Sequence, residues 1–281
     1  MPKPTPRRRI LKMIWICLGL YVAVALLVML RQRSMIYFPT VADDRVLLAI
    51  AKDDGFEPWL NSSGQRIGWQ RPSPTQPAQG RFLVMHGNAG FALHRADYAK
   101  ALQEASGFDA FLLEYPGYGA RPGKPSESSL YAAVEEAFAL LRTDGPVHLV
   151  GESLGCGVAA HLTGTHPAEV AGMLLFTPYN NLTAVAQHHM PVFPVRWMLW
   201  DRFPADESLK SYRGPVGILL AGNDQVVPDR FGRRLHDGYQ GPKKLWKAEN
   251  VGHNDVHTRT PDWWKEVVEF WNSPSPKGTG K

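Results

Sequence analysis

A serine between two glycines is the residue of this chain best suited to nucleophilic chemistry. Ser153 is the centre of a Gly-x-Ser-x-Gly pattern over residues 151–155, after the apolar run 147–150 and before a helix-like segment. On so tight a strand-to-helix turn the serine backbone is forced into an unfavourable region, so its neighbours two residues away must be small. The pattern predicts an exposed nucleophile at the end of a strand. The alternative is a glycine-rich turn around a buried serine.

A nucleophilic serine needs a general base, and the base needs a carboxylate that fixes its tautomer. The loops after two later predicted strands supply Asp224 and His253. Asp229 already falls in the next predicted helix. The order Ser153…Asp224…His253 is the order of enzymes with this type of serine turn. Two alternatives stay open: Asp224 could cap the following helix, and His253 could be an ordinary loop histidine.

An oxyanion hole requires two N–H donors aimed at the substrate carbonyl oxygen. One is expected from the main chain of Leu154, directly after the nucleophile. The other is expected from the loop after the predicted strand that ends at His86, where Gly87 permits a close approach. We predict Asn88 as the second donor, with Ala89 as the alternative.

Neither a metal nor a cofactor is expected. His253 and His257 are four residues apart, but the segment between them lacks the glutamate of a zinc protease. The glycine-rich stretches 117–123 and 151–157 miss the spacing of dinucleotide-binding loops, and there is no phosphate-loop lysine motif. Cys156 is expected to be a small packing residue, and a disulfide with Cys17, which lies in an apolar run, is implausible.

The elements that must position these residues alternate between strand and helix. This order predicts an α/β fold with a mostly parallel sheet covered by helices on both faces. Residues 43–71 are the exception, and we predict paired antiparallel strands there with a turn at 53–55. Helices are predicted over 93–106, 126–142, 228–238 and 262–271, and strands over 81–86, 108–115, 147–150, 173–176, 216–220 and 243–246.

Residues 180–214, between two predicted core strands, are expected to form a cap over the site. The segment is rich in aromatic, methionine and histidine side chains, which suit an apolar acyl group but also serve as ordinary packing. These side chains are His188, His189, Met190, Phe193, Trp197, Met198, Trp200 and Phe203.

The stretch 13–30 contains no charge. Eighteen helical residues span about 27 Å, close to the hydrocarbon thickness of a bilayer. A cleaved signal peptide is the alternative, but no small-x-small site follows the run, which favours an uncleaved anchor. Tyr37 and Phe38 are placed either at the membrane interface or as a first contact with the folded domain. The expected organisation is a basic N-terminus (1–12), an anchor (13–30), a catalytic domain (35–272) and a disordered tail (273–281).

The net charge of +5 comes from the N-terminus. Seven basic residues and no acid lie in the first 33 residues, which leaves 24 basic against 26 acidic residues elsewhere. The high isoelectric point is therefore no argument for a nucleic-acid partner. The expected partners are the bilayer and a small or lipid-like acyl substrate.

Further motifs make the sequence resemble the α/β-hydrolase family, and within it the membrane-anchored serine hydrolases of the Bem46 and ABHD13/ABHD17-like group. The resemblance covers about residues 35–272 and implies an α/β-hydrolase fold, a catalytic triad and hydrolysis of esters, thioesters or other acyl compounds. Ala221 departs from the relatives, which often have histidine there. The matching segments are Tyr37-Phe38-Pro39, His86-Gly87-Asn88-Ala89-Gly90, Glu114-Tyr115-Pro116-Gly117-Tyr118-Gly119, Pro125-Ser126-Glu127, Gly151-Glu152-Ser153-Leu154-Gly155, Gly222-Asn223-Asp224-Gln225-Val226-Val227-Pro228 and Gly252-His253.

The sequence thus predicts a membrane-anchored serine esterase or thioesterase. A second hypothesis is a serine aminopeptidase, in which Glu152 or Glu114 would clamp the substrate amine. A third is a non-catalytic interaction domain, which is disfavoured because no member of the triad is missing.

The charges on either side of the anchor predict its topology. Five basic residues precede residues 13–30 and two follow, so the N-terminus is expected in the cytoplasm and the catalytic domain outside it, in the periplasm if the source is bacterial. Protease added to the outer side of intact spheroplasts should therefore digest the domain. If the domain is digested only after the membrane is broken, the topology is the reverse of the predicted one. Full-length protein in the soluble fraction would contradict the predicted anchor.

Overall fold

The computed structural model describes residues 6–273, in which strands and helices alternate along most of the chain. The strands are β1 (Phe38–Pro39), β2 (Glu57–Leu60), β3 (Arg66–Arg71), β4 (Arg81–Met85), β5 (Ala89–Gly90), β6 (Asp109–Leu113), β7 (Val147–Glu152), β8 (Val170–Phe176), β9 (Val216–Ala221) and β10 (Lys243–Ala248). The helices are α1 (Pro6–Ile36), α2 (Asp44–Asp54), α3 (Ala96–Ser106), α4 (Glu127–Leu141), α5 (Leu154–Thr165), α6 (Leu182–His189), α7 (Val195–Met198), α8 (Ala205–Ser208), α9 (Asp229–Gly238) and α10 (Pro261–Asn272).

Within residues 6–273, eight strands form one sheet in the order β10-β9-β8-β7-β4-β6-β3-β2. The six strands from β10 to β6 run parallel, whereas β3 and β2 are antiparallel at one edge. The short strands β1 and β5 pair separately and connect the end of α1 to the loop after β4. This architecture confirms the predicted α/β class with a mostly parallel sheet.

Helices cover both faces of the sheet. Along β4, Leu83 packs on the face covered by α4, α5 and α9, while Phe82 and Val84 pack on the face covered by α2, α3 and α10. Leu149 and Val150 of β7 divide in the same way. Because both faces are buried, the central strands are almost continuously apolar, and their carboxyl ends are left to carry the polar site residues.

The prediction of antiparallel strands throughout 43–71 is wrong for its first part, which is helix α2. The side chain of Asp43 accepts the N–H of Arg45 and caps the helix, and Gly55 ends it in the left-handed conformation with φ 74°. Leu47 and Ala51, four residues apart, are its buried residues. The apolar run here follows helical spacing, and the two caps decide in favour of a helix. β2 and β3 form the expected hairpin.

Helix α1 is longer than the predicted anchor, since it extends from Pro6 to Ile36. It is long and apolar enough to cross a membrane, and its apolar window is not buried against the domain. The flanking arginines and lysine are good helix formers, which explains the added turns. Residues 1–5 of the basic N-terminus and the tail after Ser273 lie outside the described residues.

A buried ion pair joins the last residue of β7 to the turn before α3. Arg95 Nε lies 2.6 Å from Glu152 Oε2, and both side chains are mostly buried. Burial by itself would raise the pKa of Glu152, but Arg95 and His257 outweigh burial and hold this pKa below its usual range. The pair therefore keeps a charged carboxylate directly beside Ser153, oriented away from solvent.

We predict that Glu152 makes stability depend on acid pH. As pH falls below about 4.5, the unfolded chain takes up a proton that the folded carboxylate does not, so this part of the stability is lost. Glu152→Gln should cost about 3–5 kcal/mol at pH 7, because it leaves Arg95 buried without its anion. Its unfolding temperature should therefore approach that of the wild type as the pH is lowered.

The control is Glu249→Gln, which removes a largely exposed carboxylate paired with Lys247. Thermal unfolding should place this variant close to the wild type at every pH. If the difference in unfolding temperature between wild type and Glu152→Gln stays constant from pH 7 to pH 3, the prediction is contradicted.

Candidate active site

Ser153 occupies the sharp turn between β7 and α5. Its φ of 50° and ψ of −111° lie in a region that non-glycine residues rarely adopt. The strained residue is held in place because its N–H donates to the carbonyl of Phe176, at the end of β8, over 2.9 Å. The strain raises the side chain above the carboxyl edge of the sheet.

The two glycines of the motif are required by close packing around this turn. A Cβ at Gly151 would lie 2.8 Å from the Cα of Cys156, and a Cβ at Gly155 would lie 2.8 Å from the carbonyl oxygen of His86. Both distances are shorter than a real Cβ tolerates. The spacing seen in the sequence therefore reflects a turn that larger residues would push apart.

The structure brings Ser153, His253 and Asp224 into one hydrogen-bonded chain. His253 Nδ1 lies 2.6 Å from Asp224 Oδ2, and His253 Nε2 lies 3.0 Å from Ser153 Oγ. A carboxylate only accepts, so Nδ1 carries the hydrogen and Nε2 is left to accept the serine proton. A serine, histidine and carboxylate joined in this way can activate the serine oxygen for attack on a carbonyl carbon.

The second oxygen of Asp224 holds the carboxylate in place. Asp224 Oδ1 accepts the N–H of Val226 at 2.9 Å and of Val227 at 2.7 Å. Asp224 thus also orders its own loop, as a capping residue would, while facing His253. Asp229 instead lies on α9, where it accepts from Arg233.

Leu154 and Asn88 line the same cavity as Ser153. Leu154 is the first residue of α5, so its N–H has no partner within the helix. The Asn88 side chain is occupied, because its Nδ2 donates to the Ile36 carbonyl at 2.9 Å. The main-chain N–H of Asn88 is therefore the group available to a substrate oxygen.

A mostly apolar cavity of about 420 Å³ opens beside Ser153. Three parts of the chain form its wall: the end of α1, the cap segment and the loop that follows Asp224. The cap contributes Leu182, Val185, Ala186, His189, Met190, Phe193, Val195, Met198 and Leu199. The Asp224 loop contributes Gln225, Val226 and Val227, and Tyr179 completes this side.

The cap side chains named from the sequence divide into three groups. His189, Met190, Phe193 and Met198 line the cavity. Phe203 is fully buried in the core, whereas His188, Trp197 and Trp200 are exposed, the two tryptophans at 73% and 47%. Nothing in the spacing of these residues distinguished the three positions, because the cap is built of short helices joined by prolines.

Sequence reasoning missed the contribution of α1 to the cavity. Val28, Met29, Gln32, Met35 and Ile36 all line it. The spacing of four residues from Val28 to Gln32 and again from Gln32 to Ile36 was the available signal, since it marks one face of a helix. That face was obscured by the general hydrophobicity of the anchor.

Two other groups that could carry chemistry are enclosed. Cys156 is fully buried, its Sγ lies 3.2 Å from the Gly151 carbonyl, and burial raises the pKa of this thiol. His257 faces Glu152, with Nε2 3.4 Å from Oε2. Among residues 6–273, no group of three or more His, Cys, Asp or Glu side chains is arranged to hold a metal ion.

Known proteins similar to this chain share its fold. A sequence profile for the alpha/beta hydrolase fold matches residues 80–199. An uncharacterized protein of Mycobacterium tuberculosis is 34% identical over 234 residues, which cover 80% of this chain and 81% of that protein. The human alpha/beta hydrolase domain-containing protein 17B is 30% identical over 203 residues, covering 69% and 67%.

A mouse lysophosphatidylserine lipase is 27% identical over 250 residues, which cover 78% of this chain and 62% of the lipase. Among solved structures, the monoacylglycerol lipase of Paleococcus ferrophilus superposes with a TM-score of 0.57 at 17% identity, covering 73% and 98%. The sheet order, the profile match and relatives of this identity lead to one conclusion: the chain belongs to the α/β-hydrolase family.

Proposed function

We propose that this protein is a membrane-anchored serine hydrolase that cleaves carboxylic ester or thioester bonds. The observation that carries the proposal is the chain of contacts from Asp224 through His253 to Ser153, with distances of 2.6 and 3.0 Å, on a strained turn. Nucleophile, base and orienting group stand in the order and geometry that acyl transfer requires.

In the proposed reaction, Ser153 Oγ attacks the substrate carbonyl carbon while its proton passes to His253 Nε2. Asp224 stays ionised and stabilises the imidazolium. The carbonyl oxygen becomes an oxyanion that accepts the main-chain N–H groups of Leu154 and Asn88.

The protonated His253 then gives its proton to the leaving alcohol or thiol, and an acyl group remains on Ser153. Water, deprotonated by His253, attacks this acyl-enzyme and releases the carboxylic acid. The cycle uses side chains and water, so no metal or cofactor enters the proposal.

The cavity and the relatives support an acyl substrate with an apolar tail. The wall is dominated by aliphatic, methionine and aromatic side chains, and a volume of about 420 Å³ lies within the range of ligand sites. One relative, at 27% identity, is named a lysophosphatidylserine lipase. A single-chain lipid ester is therefore the favoured substrate class.

The two carboxylates that an aminopeptidase could use to bind the substrate amine are both occupied by other contacts. Glu152 is committed to Arg95, and Glu114 is buried, where its oxygens accept the N–H of Ala92 at 3.2 Å. Glu114 also lies 3.3 Å from His86 Nε2. Neither carboxylate is available to a substrate amine, which favours ester or thioester cleavage over peptide cleavage.

We further propose that α1 anchors the protein in a membrane, with the catalytic domain outside the cytoplasm. The uncharged stretch 13–30 and the basic bias around it support this location.

The proposal predicts that a fluorophosphonate probe labels the wild type at Ser153. Ser153→Ala should abolish labelling without changing the unfolding temperature, because only the hydroxyl is removed. Asp224→Asn should lower kcat by about 10⁴, the cost of the same change in a serine protease triad. Labelling can be followed in gels, and kcat with a short-chain chromogenic ester.

The matched control is Asp229→Asn, which changes the same functional group on α9, away from His253. It should keep kcat within about twofold of the wild type. Persistent labelling of Ser153→Ala, or a greater loss in Asp229→Asn than in Asp224→Asn, would contradict the assignment.

A further inference from the structure

The end of α1 is a wall of the cavity as well as a connection to the membrane. Val28, Met29 and Ile36 are partly buried and face the cavity, whereas Leu27 and Leu30 on the opposite side of the helix are 57% and 71% exposed. One face of the same helix therefore borders the space beside Ser153, and the other face is available to lipid.

Specific polar contacts hold α1 in this position. The buried amide of Gln32 donates to the Met198 carbonyl at 3.1 Å and accepts the N–H of Trp200 at 2.7 Å. The buried Asp201 accepts from two side chains that follow Gln32, from Arg33 Nε at 3.1 Å and from the Tyr37 hydroxyl at 2.9 Å. These contacts fix both the rotation and the height of α1 against the cap.

The height of the helix places part of the cap at membrane depth. We call residues 190–200 the cap tip. Tyr21 donates to the Val192 carbonyl at 2.8 Å and stacks on Phe193 with ring centres 5.9 Å apart. Tyr21 lies near the middle of the uncharged run, about 16 Å along the helix axis from Gln32. Shifting the bilayer toward the N-terminus of α1 to avoid this overlap would draw Lys12 into the hydrocarbon.

The exposed residues of the cap tip are of the types found at the interface between a membrane and water. Val192 and Trp197 are 68% and 73% exposed, and Trp200 is 47% exposed. Arg196 is exposed as well, with its guanidinium 5.3 Å from the Trp197 ring centre. Tryptophan and long basic side chains are the residues found at membrane interfaces, where apolar stems are buried and charged ends reach the headgroups.

We propose that the cap tip lies in the outer leaflet beside α1, and that the cavity between them binds one acyl chain of a lipid ester that enters directly from the hydrocarbon of that leaflet. This inference rests on the proposed hydrolase function and on α1 as a membrane anchor. The acyl chain lies along Val28 and Met29, and its ester carbonyl reaches Ser153. The polar part of the lipid remains toward the headgroups.

We expect the part of the cavity wall formed by α1 to determine which acyl-chain lengths the protein prefers as substrates. Each methylene transferred from water to the cavity strengthens binding by about fourfold. In full-length protein reconstituted in phosphatidylcholine vesicles, kcat/KM should rise from butyryl to palmitoyl esters of one chromogenic alcohol. Val28→Trp places an indole in the cavity, so the ratio of kcat/KM for the palmitoyl ester to kcat/KM for the butyryl ester should fall at least about tenfold.

Leu27→Trp is the matched control, because it adds the same indole at the neighbouring position on the lipid-facing side. Its preference for long over short chains should equal that of the wild type. An unchanged preference in Val28→Trp, or equal losses for both esters, would overturn the inference. If a fluorophosphonate does not label the wild-type protein, the proposed hydrolase function itself is contradicted.

The position of the cap tip has its own test, which does not depend on activity. In a Cys17→Ser background, Val192→Cys and Ser211→Cys introduce exposed thiols in the cap tip and before β9, at the sheet edge opposite the site. A membrane-impermeant maleimide should label Ser211→Cys in vesicles but label Val192→Cys only after detergent is added. Equal labelling rates in intact vesicles would show that the cap tip is in water and overturn the route from the leaflet.

Discussion

The backbone strain at Ser153 is the constraint on which the rest of the site depends. A serine at φ 50° is unfavourable. It persists because β4, β7 and α5 pack so closely that both neighbouring glycines are needed, and because its N–H donates to the end of β8. The same turn starts α5 directly after the serine, which leaves the Leu154 N–H free to face a substrate oxygen. One local distortion thus sets the position of the hydroxyl together with that of the N–H that we propose as an oxyanion donor.

Two buried glutamates near this edge of the sheet are each in contact with residues other than His253. Glu152 is enclosed by Arg95 and His257, and Glu114 by His86 and the Ala92 N–H. Because each buried carboxylate has its own partner, neither competes with Asp224 for His253. His253 therefore stays hydrogen-bonded to Asp224 and Ser153, and the cavity beside Ser153 is mostly apolar.

Helix α1 is apolar and long enough to cross a membrane, and its end also forms part of the cavity wall. The buried Gln32 is the only polar side chain that α1 places in the cavity wall among the described residues. A shift of the helix by one turn would leave its amide and the Trp200 N–H without partners, at a cost of about 1–3 kcal/mol for each group. Gln32 thus aligns the apolar face of α1 with the cavity beside Ser153.

The sequence by itself determined the features that depend on local spacing. Alternating elements specified a parallel sheet, and the glycines around Ser153 specified its turn, because strand and helix periods and steric limits act over a few residues. Helix α2 is likewise encoded locally, by helical spacing and by its caps Asp43 and Gly55, which the strand prediction overlooked. Only the tertiary structure decided that the Asn88 side chain donates to the Ile36 carbonyl and that α1 meets the cap. Gln32 and Met198 are 166 residues apart along the chain, and their contact depends on how whole helices pack, which short patterns do not encode.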